Sequence, residues 1–293
     1  MKKGIASSRG AITILNAIPT GIGAALGITL QTDAEVIVGG VKSGIQVRLP
    51  EKGENDVLAK ECVKSVFAVA GEDPSGIKVR TCSTIPISRG LKSSSAAANA
   101  VTLAATRALD HDIDDVEIVK MGVEAAKRAG VTVTGAFDDA MACYFGGVAV
   151  TNNTDMEVIK RTSLKKKGVR VILHVPERKI RKAGISSNIF KPLFKRFKEV
   201  EELVLDGEWF EAMNENGRLI AESLGIDNEI AENAIMEGAL AAGITGTGPA
   251  TAILCTEDSF DRLLDSVCLE GAAQIAAHLN ETPAPEVEPR LLE

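Results

Sequence analysis

The chain has 293 residues, of which 45% are hydrophobic and 25% charged, a globular balance with enough apolar material for one large domain or two. A net charge of −7 opposes binding along a phosphate backbone, and aromatics at 3% leave no stacking platform, so nucleic acid is not an expected partner. No apolar run approaches the ~20 residues that span a bilayer, so no membrane partner is expected either. The five cysteines (Cys62, Cys82, Cys143, Cys255, Cys268) form no C-x-x-C pair, and the three histidines show no metal-ligand spacing. With no signal-like start, this predicts reduced thiols and a cytoplasmic protein.

In chain order, Ala11–Ala17 and Ala34–Val38 read as strands around the turn-rich segment Pro19–Gly23, and Gly44–Leu49 reads as a strand folded back in a hairpin. Asn55–Ala70 has helical periodicity, and Ile77–Thr84 alternates as a strand that ends at Pro86. The small-residue run Ala96–Leu109 is a strong helix former, and Asp115–Arg128 is a helix capped by Asp114 and stopped by Gly130. Val148–Thr151 resumes as a strand, and the polar stretch 152–168 marks a boundary between lobes of residues 1–155 and 156–293. Beyond it come a strand at Val169–Val175 and helices near Ile189–Leu205, Glu208–Leu224 and Glu229–Ala241. The glycine-rich turn Gly243–Pro249 leads to a strand at Ala250–Cys255, a helix at Ser259–Ser266 and a closing strand at Ala273–Leu279. The tail Thr282–Glu293 reads as loose. The basic runs 160–170 and 178–182 read as solvated loops. Strands and helices mix without a strict βαβ rhythm, so the expected class is α+β.

Three segments carry chemistry. In Pro86-Ile87-Ser88-Arg89-Gly90-Leu91-Lys92-Ser93-Ser94-Ser95-Ala96, glycine permits close backbone approach and the start of a helix offers unpaired amides to phosphate. Serine hydroxyls there can reach Mg²⁺ or phosphate oxygens, and Lys92 adds a cation; the plain alternative is a serine cap on an ordinary helix. The loop is not a Walker A motif, and no G-x-G-x-x-G follows the first strand. Asp138-Asp139 sits in an apolar stretch, where two adjacent carboxylates are costly to bury unless they bind a metal or share a proton. The third segment is Gly243–Pro249, whose plain reading is a turn before a strand.

In order and spacing the three resemble the motifs of the GHMP kinases (galactokinase, homoserine kinase, mevalonate kinase, phosphomevalonate kinase). The resemblance implies a two-lobed fold, with an N-terminal lobe like domain 2 of ribosomal protein S5 and a ferredoxin-like C-terminal lobe. It also implies phosphorylation of a small molecule with ATP and Mg²⁺. On it, Pro86 and Ser88 to Ala96 form the nucleotide loop, with Ser94 nearest Mg²⁺. Gly246, Thr247 and Gly248 support that loop and face the acceptor. Asp139, seven residues before Gly146, has the family spacing of the catalytic acid, with Asp138 the alternative register. Two departures stand out: Lys92 replaces a small residue, and Ala6-Ser7-Ser8-Arg9-Gly10 stands where P-G-[KR] is usual.

These departures, with Thr134-Gly135-Ala136-Phe137-Asp138-Asp139-Ala140, resemble the archaeal-type shikimate kinases. That implies phosphorylation of shikimate to shikimate 3-phosphate, a step toward chorismate and the aromatic amino acids. A small anionic triol calls for cations and hydroxyl partners, and Arg9, Lys92 and Thr20 are the candidates, with Arg9 assigned the carboxylate. Pantoate and homoserine are alternative acceptors, and a nucleotide-binding regulator without chemistry is the alternative class.

Overall fold

A computed structural model describes residues 1–293 except 52–53, 181–184, 268–269, 291 and 293. Two of the sequence expectations, the pairing state of Cys268 and the end of the second basic run, lie outside the described residues.

The first lobe opens with two long strands, β1 (Lys2–Leu15) and β2 (Ile22–Val38), paired antiparallel along nearly their whole length. Both are far longer than their patterns suggest, because both faces are covered and no alternation marks them. β3 (Ile45–Arg48), α1 (Val57–Ala70) and β4 (Ile77–Ser83) follow. β3 does not return on β2 as a hairpin; it pairs parallel with β4, Ile45 opposite Ile77. Next come α2 (Ser93–Leu109), α3 (Asp115–Arg128) and α4 (Phe137–Phe145), then β5 (Val148–Asn152) and β6 (Glu157–Thr162). One edge of β2 takes β1, and the other is shared by β5 over residues 22–26 and β4 over residues 32–38.

α2 is the central helix. Its alanines let it pack closely on β1 and β2, and from Ala98 through Thr106 every residue is buried. α3 is capped as predicted, with the Asp114 side chain accepting from the Val116 and Glu117 amides. β6 overlaps the first basic run at residues 160–162, so the start of that run is a sheet edge; Arg161 stacks on Phe145 at 3.7 Å and Lys160 sits 5.3 Å over Trp209.

The second lobe is a four-stranded antiparallel sheet in the order β10-β7-β9-β8, built from β7 (Val169–Pro176), β8 (Ala241–Ile244), β9 (Thr251–Thr256) and β10 (Ala272–His278). Its helices are α5 (Phe194–Asp206), α6 (Trp209–Leu224), α7 (Glu229–Met236) and α8 (Phe260–Ser266). The mixed α+β architecture is the one expected. α7 stops five residues short of its expected end, because 241–244 pairs with β9 as a strand.

The tail is not loose among its described residues. Ala284 and Val287 are buried, the Arg290 amide donates to Asp33 Oδ2 at 2.6 Å, and Gln31 Nε2 donates to the Glu288 carbonyl at 2.9 Å. The three prolines that suggest disorder instead hold an extended strap over the first lobe, where its polar backbone finds partners.

Candidate active site

The nucleotide loop crosses from β4 to α2 at the meeting of the lobes. Gly90 adopts φ +86°, and a Cβ there would lie 2.1 Å from the Thr245 carbonyl oxygen, so only glycine lets the early and late loops touch. They are laced together: Thr245 Oγ1 donates to the Gly90 carbonyl at 3.2 Å, and the Ala250 amide donates to the Arg89 carbonyl at 3.2 Å. The helix begins at Ser93 rather than Ala96, which puts all three serines in its first turn. Ser88, Lys92 and Ala136 have positive φ without being glycine, and all three lie around this site. Backbone strain of this kind costs ~1–3 kcal/mol per residue and persists where surrounding contacts over-determine it.

An open cleft runs along the loop, lined by Ser88, Gly90, Lys92, Ser93, Ser94 and Ser95, by Thr247, and by apolar Leu49, Pro50, Leu58 and Val131. A much smaller cavity lies beside it, walled by Thr13, Asn16, Thr132, Thr134, Asp138, Asp139 and Gly246. Lys92 lines both. Its ammonium donates to Thr13 Oγ1 and pairs with Asp139 Oδ1 at 3.0 Å, with the two side chains only 2% and 6% exposed. Thr13 Oγ1 in turn accepts from the Gly246 amide at 2.8 Å, and Asn16 Nδ2 donates to the Gly246 carbonyl at 2.9 Å.

Asp138 and Asp139 lie in the first turn of α4, which starts at Phe137. Both are buried. Gly23 makes room for Asp138, since a Cβ there would lie 2.5 Å from its Oδ2. Asn153 Nδ2 donates to Asp138 Oδ1 at 2.7 Å, and the Asp138 amide donates to Asn153 Oδ1 at 3.2 Å. Burial first, then the charge of Asp139, raises the Asp138 carboxyl from 3.8 to about 6, against the Asn153 hydrogen bond and the Lys92 charge.

Other expected residues fall elsewhere. Arg89 spends its guanidinium on the carbonyls of Ile87, Pro176 and Glu177, tying the lobes rather than reaching into the cleft. Leu91 and Ala96 are buried in the core and shape the loop from behind; Pro86 and Gly248 line neither cavity. Thr20 bonds locally with Ile22. Arg9 is not brought to the acceptor cavity: it donates to the Thr29 carbonyl at 2.8 Å. Burial and then Arg290 hold it below its ordinary value, against Asp33. Since β1 runs its full length antiparallel to β2, Arg9 sits opposite Gln31, under the C-terminal strap. Thr13, Asn16, Thr132 and Asn153 escaped the sequence reading, and Thr134 entered it only as part of a motif. Thr13, Asn16 and Asn153 are polar residues inside or just beyond apolar strands, and Thr132 and Thr134 lie in the loop before α4, signals that many ordinary caps share.

A glycine- and serine-bearing loop at the start of α2, set against buried acids, fits the resemblance to the GHMP class of small-molecule kinases. The family model of the GHMP kinases N terminal domain matches residues 57–147. The shikimate kinase of Pyrococcus abyssi is 41% identical over 250 residues, covering 85% of this chain and 90% of the relative. That of Methanothrix thermoacetophila is 39% identical over 282 residues, 96% of each. Among solved structures, Methanococcus jannaschii mevalonate kinase has TM-score 0.77 at 18% identity, covering 94% of this chain and 98% of its own. Lactococcus lactis galactokinase complexed with galactose has TM-score 0.77 at 13% identity, covering 97% and 95%. The chain belongs to the GHMP kinases, in the family of these archaeal shikimate kinases.

Proposed function

We propose that the protein transfers the γ-phosphoryl group of ATP to a hydroxyl of shikimate, giving shikimate 3-phosphate and ADP. The observation that carries this is the junction at Lys92, where a cleft long enough for a nucleotide meets a small polar cavity holding two buried carboxylates. The relatives named above, shikimate kinases at about 40% identity, support the choice of acceptor.

The triphosphate lies against the first-turn amides of Ser93 to Ser95 and the positive end of the α2 dipole. Thr13, Asn16, Thr132 and Thr134 offer hydroxyl and amide partners to the triol, and Lys92 is the cation among the residues lining the cavity. Asp138, its pKa near neutrality, accepts the hydroxyl proton; a base works best when its pKa lies close to the working pH. The acceptor oxygen bonds to the γ-phosphorus, the bond to the β–γ bridging oxygen breaks, and ADP leaves with that electron pair. Asp139 holds the Lys92 ammonium at the junction, where it offsets charge on the transferred group.

Among the described residues no cluster of three or more His, Cys, Asp or Glu could cage a metal. Mg²⁺ binds few protein oxygens and shares the substrate's phosphates, and the Ser94 hydroxyl in the cleft would be one such oxygen. When bound there it neutralises phosphate charge. The test is ADP release and ³¹P NMR with shikimate, pantoate or homoserine as acceptor. Shikimate alone should support turnover. Release with pantoate or homoserine instead would move the acceptor, and nucleotide binding without turnover on any of them would make the chain a regulator.

A further inference from the structure

We propose that Asn153 is a positioning residue for phosphoryl transfer: its amide side chain aims Asp138 and ties it to Thr134 in the wall of the acceptor cavity. This rests on the kinase reading above.

Asn153 follows β5 and is 2% exposed. Its Oδ1 accepts from the Asp138 amide at 3.2 Å and from Thr151 Oγ1 at 2.6 Å. Its Nδ2 donates to Asp138 Oδ1 at 2.7 Å and reaches Thr134 Oγ1 at 3.4 Å. Its own amide donates to the Gly21 carbonyl at 2.8 Å. One residue therefore touches the segment after β1, the loop before α4 and the carboxylate in the first turn of α4. Thr134 and Asp138 both wall the cavity, and a base misplaced by ~1 Å loses much of its advantage.

The two halves of the amide do different work. The oxygen takes hydrogen bonds that a helix cap would take in any protein. The NH₂ group, donated to a buried carboxylate, favours its charged form and fixes one of its oxygens, leaving the other to the acceptor. The charged groups facing Asp138 are Asp139 on its own helix and Lys92 from the start of α2. Lys92 is engaged by Asp139, so Asn153 is the neutral donor that steadies Asp138 beside a like charge.

Two variants separate the roles. Asn153→Ala removes the donation and adds no charge, whereas Asn153→Asp keeps the accepted hydrogen bonds but sets a further carboxylate against Asp138, where the Nδ2 group stood 2.7 Å from its Oδ1. If Asn153 were merely a cap, Asn153→Ala would lower the melting temperature and leave the kcat pH profile parental. As a positioning residue, Asn153→Asp should move the acidic limb of the kcat profile upward by about one pH unit or more. Its kcat at pH 7 should fall by roughly tenfold or more, with KM for ATP unchanged. Asn153→Ala should also move the limb upward, by less than Asn153→Asp does. A parental pH profile in a folded Asn153→Ala protein would overturn the proposal. A readout free of acceptor and of any variant is NMR of the parent: the Asn153 side-chain amide should titrate with the same midpoint as the Asp138 carboxyl carbon. An amide signal indifferent to that titration overturns the proposal even if both variants misfold. A parent that phosphorylates none of the three acceptors would sink the kinase reading and leave this NMR result standing.

Discussion

Replacing Asp138 by Asn should make the protein more stable at alkaline pH while disabling it. The Asp138 carboxyl is buried beside Asp139, and its pKa is raised from 3.8 to about 6 in the folded protein. Below pH 3.8 the group is protonated in both folded and unfolded chains and costs nothing. Between 3.8 and 6 the unfolded chain releases the proton and the folded one retains it, so stability falls as pH rises. Above 6 the whole cost is present. At about 1.4 kcal/mol per pH unit, it amounts to about 3 kcal/mol. Asn keeps the volume, can still accept from Asn153 Nδ2 through its carbonyl oxygen, and never ionises. Urea unfolding of parent and Asp138→Asn at pH 4, 6 and 8 should therefore give curves that nearly coincide at pH 4. They should separate by about 3 kcal/mol in favour of the variant at pH 8. Turnover should fall by ~10² or more, the usual scale for a positioned base, with ATP binding retained. A difference that does not change with pH, or a variant less stable than the parent at pH 8, would refute the claim that Asp138 is held in a state hostile to its charge.

Lys92→Met should behave in the opposite way. It leaves two buried carboxylates without their cation, and breaking a buried pair by removing one partner costs about 3–5 kcal/mol, so both melting temperature and turnover should drop at pH 7.5. Ser94→Ala should reduce turnover by roughly 10²–10³ with little change in melting temperature, measured at saturating ATP and shikimate; a near-normal rate would make the hydroxyl dispensable. Arg9→Ala should leave KM for shikimate within about twofold of the parent, because the guanidinium serves the Thr29 carbonyl rather than the cavity. A tenfold rise in that KM would restore Arg9 to the acceptor site.

The phosphate loop, the acid pair and the late glycine turn were legible from the sequence because their chemistry depends on residue type at short range. A glycine that must let two loops touch, serines at a helix start and adjacent acids in an apolar run are each visible within a dozen residues. The α+β class and most helices were legible for the same reason, since periodicity and caps act locally. Only the tertiary structure decided what depends on pairings far apart in the chain. It lengthened β1 and β2 by covering both of their faces, turned 45–48 to a parallel partner at β4, and drew the proline-bearing tail onto the sheet. It placed Arg9 away from the cavity beside the loop, because the register of β1 on β2 puts that residue under the strap. It gave Lys92, the cation of the loop, a buried partner in Asp139, and it brought Asn153 to Asp138. A charge 47 residues from its partner carries no local signal; burial makes such a pair matter, and burial belongs to the assembled fold.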